Sequence, residues 1–285
     1  MNNHNKILKV LDHGSVSYVA HMGDDLSPLS SARMSTGNPT GIDENKDNNL
    51  RNHLWKSNHT SPFEQSELVL ELKCPLYVLH QLSRHRTLDY STNNYWETVD
   101  ETFRKYTSQN EFSGRYASME DCFYIPDMEH IKGQHKTNKQ NSGEDLNAST
   151  KEWFKSTIQK ISKEYYDVYR QALELGVARE LARIFLPLST YTKIQLKANL
   201  LNWLKFLNLR DRDDVQMQTR EYAKAVAVIV KDLFPKSYAV FEEHTMGGVQ
   251  LSATERNLLK TYLCGVAWDK TKALPEGMGR LLNRL

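Results

Sequence analysis

An α+β fold is expected for this 285-residue chain on three observations. The stretch "SELVLELK" alternates Leu68, Leu70 and Leu72 with Val69 and Glu71, the period of a half-buried strand. From Ser149 onward apolar residues recur instead at helical spacing. Strands therefore come early and helices late, and no composition change marks a linker. The expected organisation is one domain over residues 1–246 and an extension over 247–285.

Taken in order, Lys6 to Tyr18 reads as a short strand, and in "MGDDLSPLSSARMS" Ser27 before Pro28 predicts a capped short helix. "TGNPTGIDENKDN" reads as loop, and "NLRNHLWKSNHTSPFEQ" as a short helix running into a turn at Pro62. Pro75 suits the first turn of another helix, whose Leu76, Leu79 and Leu82 place Arg84 and His85 at its C-terminal end. Residues 127–150 are polar, nearly free of large apolar side chains, and read as a surface loop. Ser149 with Glu152 forms a capping box for a long helix through Trp153, Ile158, Ile161, Tyr165, Val168, Ala172 and Leu175, ending at Gly176. Helices are also expected around 178–189, 194–209 and 214–234, the last ended by Pro235.

Composition excludes several functions. With 39% hydrophobic and 25% charged residues the chain can build a core, and a net charge of +2 is too mild for a general nucleic-acid binder. The three cysteines form no C-x-x-C pair, which fits a reducing compartment and argues against disulfides or a cysteine zinc site. The ten histidines show no H-E-x-x-H spacing, so no metal is expected. "MNNHNKILKV" has no apolar signal core and no run is long enough to span a bilayer. The expectation is a cytoplasmic protein, or one of the host cytoplasm if the source is viral.

Two stretches carry the chemistry. "SRHRT" sets Arg84, His85 and Arg86 in a row, and "SQNEFSGRY" presents Glu111, Ser113 and Arg115 at alternate positions. Clustered guanidinium groups suit a small anion, because each offers paired donors in a fixed plane and stays charged. Arg179 and Arg183 lie four apart with Leu181, Ile184 and Leu188 on the opposite face, while Asn199, Trp203, Phe206 and Arg210 form one stripe of the next helix. A single helical arginine is ordinarily solvated or paired with a carboxylate. A carboxylate, a hydroxyl, a glycine and an arginine within five residues raise the functional reading above that.

R-H-R followed by S-x-N-E-x-S-x-R-Y resembles the signature of the flavin-dependent thymidylate synthases. "HTSPFEQSELVLELKCPLYVLHQLSRHR", "GVARELARIFLPLSTYT" and "NWLKFLNLRDRDDVQMQTREYA" resemble further family segments in the same order, so that most of residues 6–245 is covered. The resemblance implies a central, mostly antiparallel twisted sheet packed with helices, in a homotetramer with sites between subunits. It implies conversion of dUMP to dTMP with methylenetetrahydrofolate as carbon donor and NADPH as hydride source through FAD. By the same resemblance Gln81, Leu82, Ser83, Arg84, Glu111, Phe112, Ser113, Gly114, Arg115, Arg183 and Arg210 would bind the nucleotide, Arg210 also favouring the ionised N3 of uracil. Ser35, Ser61, Arg84, His85, Arg86, Glu111, Asn199, Leu201 and Lys205 would face the flavin, and His59 the folate or nicotinamide.

The chain departs from the family pattern in two ways. The family puts two residues between R-H-R and the serine, whereas 21 residues, Thr87 to Thr107, stand here, so an insertion over 88–106 must loop out and return. At the flavin positions Leu201 replaces an arginine and Lys205 a polar amide, which leaves a flexible point charge in place of a planar fork. These changes keep three rivals open: a flavin-dependent UMP methylase, a pyrimidine nucleotide hydroxymethylase, and an inactive nucleotide-binding homologue. The setting of Cys74 and Cys122 gives neither the basic pocket a thiolate nucleophile needs, so reduction by a cofactor fits better. His85, between two arginines, should be biased toward its neutral form.

Overall fold

The computed structural model describes residues 7–85, 109–137 and 142–265; Arg86 and the expected insertion lie outside them. The first element is a hairpin, β1 (Ile7–Val10) with β2 (Gly14–Met22), where the sequence suggested one strand. Its turn puts Leu11 at φ 58°, a left-handed conformation with no glycine to announce it. At Gly14 the strand passes so close to Tyr222 that a Cβ would lie 2.0 Å from the hydroxyl oxygen. Only glycine fits there.

Helix α1 (Ser27–Arg33) is preceded by a reciprocal pair, in which Ser27 donates its N–H to the Asp24 carboxylate at 3.0 Å and Asp24 donates its own to the Ser27 hydroxyl at 2.9 Å. Helix α2 (Glu44–Lys56) starts inside the expected loop because the Asp43 side chain accepts the Lys46 N–H at 3.1 Å. A 3-10 turn (Ser61–Gln65), β3 (Glu67–Pro75) and α3 (Leu76–Leu82) follow the sequence reading. After the short β4 (Gln109–Glu111), the polar 127–150 stretch is not all loop: it holds a 3-10 turn (Met128–His130) and a hairpin of β5 (Lys132–Gln134) and β6 (Ser142–Asp145).

The long helix α4 (Ala148–Glu174) is capped two residues earlier than expected, by Asn147, whose side chain accepts the Thr150 N–H at 2.8 Å. Gly176 ends it at φ 85°, with the N–H groups of Gly176 and Val177 donating back to the carbonyls of Leu173 and Ala172. The expected 178–189 helix breaks into α5 (Arg179–Ala182) and a 3-10 turn (Arg183–Phe185), since Leu186 before Pro187 is extended. The expected 194–209 helix is half strand: β7 (Tyr191–Asn199) gives way to α6 (Leu200–Arg210), and Asn199 caps the change by accepting the Asn202 N–H at 2.8 Å. Helices α7 (Met217–Leu233) and α8 (Pro235–Phe241) complete a first compact unit, residues 1–241. The second, 242–285, contains α9 (Ala253–Gly265).

The sheet order is β1-β2-β3-β7-β4, with every neighbouring pair antiparallel. Its inner face is made by Leu68, Leu70, Leu72 and Cys74 of β3 opposite Ala198, Leu196, Ile194 and Thr192 of β7, all buried. Helix α6 packs on β7 and α7 on β1 and β2. Two side chains tie helices to strand backbone: Trp203 donates its Nε1–H to the Leu68 carbonyl at 3.0 Å, and the Tyr222 hydroxyl donates to the Lys73 carbonyl at 2.6 Å. Helix α4 differs, because Trp153, Phe154, Ile161, Tyr165 and Val168 are exposed and it buries chiefly Tyr169 and Ala172. Among the described residues no helix is long and apolar enough to cross a membrane.

Trp203 fills the angle between sheet and α6 with no exposure at all. Truncation in Trp203→Ala is expected to destabilise the protein by about 3–5 kcal/mol. A urea titration showing a loss below about 1 kcal/mol would contradict this packing.

Candidate functional site

The residues marked by the sequence fall into three groups. The first lies where α3 and α6 end. Leu82 is buried, Ser83 donates its hydroxyl to the His80 carbonyl at 3.0 Å, and the Arg84 side chain is exposed. Arg210, at the last turn of α6, donates Nη2–H to the Gln81 carbonyl at 3.3 Å and so caps α3. Its Nε is buried without a partner. Thr219 of α7 donates its hydroxyl to the Gln81 side-chain oxygen.

His85 is buried in this group, edge-on to Phe206 with ring centroids 5.4 Å apart. Its pKa is pushed down to about 4, first by burial and then by the charges of Arg210 and Lys205. The neutral form expected from the sequence is thus favoured mainly by desolvation and by cations of α6. Burial also lowers the Arg210 guanidinium from its ordinary value, although the group stays charged.

The second group follows β4. Glu111 pairs across to Ile194, and its carboxylate accepts the Thr192 hydroxyl at 3.2 Å. The chain then turns at Ser113, whose carbonyl accepts the Tyr116 N–H at 3.0 Å, while the Arg115 Nε–H reaches the Ser113 hydroxyl at 3.5 Å. Gly114 is buried here: a Cβ on it would stand 3.5 Å from Cδ of Arg183, an ordinary contact, and 3.3 Å from the Met119 sulfur, so Arg183 lies against the turn and the tighter neighbour is Met119. Phe112 is 39% exposed. The Arg115 guanidinium lies 5.4 Å from the Tyr116 ring centroid.

The third group is spread over α1, the end of α2, the 3-10 turn and the first half of α6. The 3-10 turn carrying Ser61 packs on α1, on α6 and on β7, and Leu200 donates its N–H to the Ser66 carbonyl at 2.8 Å. Ser35, in the turn after α1, and Ser61 are both exposed, as is His59, whose ring lies 6.4 Å from that of His53. Asn199 is buried and occupied in capping. Leu201 is buried in the core, whereas Lys205, one turn further along, is exposed.

The described arginines divide by charge balance, and Arg51, Arg179 and Arg256 share with the marked ones the lack of a carboxylate within 4 Å among the described residues. Arg33, Arg170, Arg212 and Arg220 each have a carboxylate within 4 Å. Arg84, Arg115, Arg183 and Arg210 have none among the described residues, and no hydrogen bond or ion pair joins those of the first group to those of the second. A cavity of about 630 Å³ lined by Tyr77, Trp153, Phe154, Ile161 and Leu188 contains none of the marked residues. Thr192 and Thr219, which hold Glu111 and Gln81, are not marked by the sequence: nothing in a lone threonine tells that its hydroxyl faces a site residue more than 80 positions away. The thiols of Cys74 and Cys122 are both pushed up by burial, opposite to what a nucleophile needs.

The family of thymidylate synthase complementing proteins matches residues 17–236. The chain is 38% identical over 279 residues to the flavin-dependent thymidylate synthase of Thermus thermophilus, covering 98% of this chain and 94% of the relative. It is 34% identical over 257 residues to that of Ehrlichia ruminantium (90% and 80% covered) and 35% identical over 261 residues to that of Treponema denticola (91% and 91%). The crystal structure of a UMP/dUMP methylase, PolB from Streptomyces cacaoi, bound with 5-Br dUMP, is similar at TM-score 0.69 and 24% identity, covering 84% of this chain and 98% of that one. That likeness is one of fold.

His85 has a measurable consequence for stability. Its folded pKa of about 4 lies below the ordinary 6.5, so on acidification the unfolded chain takes up a proton before the folded one does. Stability is therefore expected to be intact above pH 6.5 and to fall as pH drops toward 4, and His85→Asn should flatten that limb in denaturant titrations. Identical pH profiles for the two proteins would contradict the buried neutral imidazole.

Proposed function

The chain belongs to the flavin-dependent thymidylate synthase family and is an enzyme of that kind; from this premise we propose that it converts dUMP to dTMP with methylenetetrahydrofolate, NADPH and FAD. The observation that carries the nucleotide assignment is the set of arginines at family positions that have no carboxylate partner among the described residues, since such cations are tolerated best where a dianion completes them. In this reading Arg115, Arg183, Ser113 and Gly114 receive the phosphate. Arg210, held in place by its bond to Gln81, sets a fixed cation beside the uracil ring and lowers the free energy of the N3 anion. Glu111, steadied by Thr192, and Arg84 complete the nucleotide face.

FAD, when bound, supplies the hydride that reduces the transferred carbon to a methyl group. The residues present fit such a dinucleotide: an exposed hydroxyl at Ser61 stands near the start of α6 and another at Ser35 follows α1, which packs on the same 3-10 turn, a neutral imidazole at His85 lies near the end of α6, and Lys205 between Ser61 and His85 provides a cation for a pyrophosphate in place of the arginine lost at Leu201. Asn199, already spent as a cap, offers only its amide N–H groups. His59 would meet folate or nicotinamide. A homotetramer is part of the same proposal. The exposed aromatic and aliphatic face of α4, with the cavity beside it, is the kind of surface that a second subunit covers, and the two arginine groups would complete one another across such contacts.

The test is spectroscopic. Purified protein loaded with FAD is expected to lose its flavin absorbance with NADPH and regain it on addition of dUMP and methylenetetrahydrofolate, with dTMP as product. Release of a methylated ribonucleotide from UMP at a higher rate than dTMP from dUMP would replace the assignment, and failure to bind FAD would end it.

A further inference from the structure

Gln81 closes α3, and its side-chain amide can present a ligand with either an acceptor oxygen or two N–H donors. Thr219, in the first turn of α7, decides between them. Its side chain is fully buried, and among the described residues its hydroxyl has one partner, the Gln81 amide oxygen. With the amide turned over, the hydroxyl would accept from Nε2 and its own proton would be buried with no acceptor. An unmade donor is what a buried site tolerates least. Donation from Thr219 to Oε1 uses that proton and leaves both Nε2 protons available, since no other described residue bonds to them. The backbone of the same residue is held independently, by the Arg210 Nη2–H on its carbonyl at 3.3 Å. Gln81 is thus fixed from α7 through its side chain and from α6 through its main chain.

We infer that Thr219 is a positioning residue that sets Gln81 as a double donor, so that this part of the site takes an acceptor-only oxygen of the nucleotide, an ionised phosphate or a pyrimidine carbonyl. The inference rests on the proposed dUMP site and adds to it a residue and a polarity. A ligand carrying its own proton at that point meets two donors and is rejected, which makes Thr219 a determinant of specificity without touching substrate.

Thr219→Val removes the hydroxyl at nearly constant volume, and Thr219→Ser retains it. In FAD-loaded protein, calorimetric titration with dUMP is expected to show affinity weakened roughly 3- to 10-fold in Thr219→Val and restored to within about twofold of wild type in Thr219→Ser, with FAD content unchanged in both. Gln81→Glu, which puts a carboxylate where the donor stood, should weaken dUMP more than Thr219→Val does, and it keeps the test open if the valine variant does not fold. Titration with deoxyuridine assigns the oxygen: a penalty that persists places it on the pyrimidine, and one that vanishes places it on the phosphate. Thr219→Val binding dUMP as tightly as wild type, or Thr219→Ser weakened equally, overturns the inference alone. Wild-type protein that binds FAD but no dUMP overturns the reading beneath it.

Discussion

The pairing of β3 with β7 is the constraint from which the rest follows. It runs without a break from Glu67 opposite Asn199 to Pro75 opposite Tyr191. A slip of one residue would turn Leu68, Leu70, Leu72 and Cys74 away from the core. Because the strands are antiparallel, α3 leaves one end of the pair and α6 the other. At about 10 Å and 16 Å the two helices together match the roughly 27 Å of a nine-residue strand. Their C-terminal ends consequently meet, and the Arg210 bond to Gln81 is the closure of that circuit.

Meeting of two helix C-termini gathers carbonyl oxygens, an environment that holds cations. Among the described residues Arg84 and Arg210 have no carboxylate there, unlike Arg33 against Asp47 or Arg212 against Asp214. Arg210 answers the carbonyls with one arm and keeps its charge for something else. The second cluster is built differently: at Ser113 to Arg115 a turn leaves the edge of the sheet, and Arg183 packs against its buried Gly114. In both places backbone geometry, more than any ion pair, aligns the guanidinium groups.

The sequence was readable where one local rule acted alone. The alternation in β3, Pro75 opening α3 and Gly176 closing α4 are of that sort, and so are the arginines of the two motifs. It was opaque where two rules overlapped. In β7 the alternation of Ile194, Leu196 and Ala198 runs directly into the largely apolar first half of α6, and only Asn199, read as a cap, separates them. The β1–β2 turn hides because Leu11, not a glycine, adopts the left-handed backbone. The β5–β6 hairpin is too polar to show a period. Long-range hydroxyl contacts such as Thr192 to Glu111 leave no sequence trace at all, because their partners are set by register and packing.

Cys74 sits one pair from the end of that register, opposite Thr192, with no exposure, and its thiol is held protonated by burial and by the nearby Glu111 charge. A sulfur so placed is chemically silent for as long as β3 and β7 stay zipped and becomes reactive only when they part. The molecule therefore carries an internal clock for the opening of its own central sheet, wound by the pairing that brings the two helices to their meeting point.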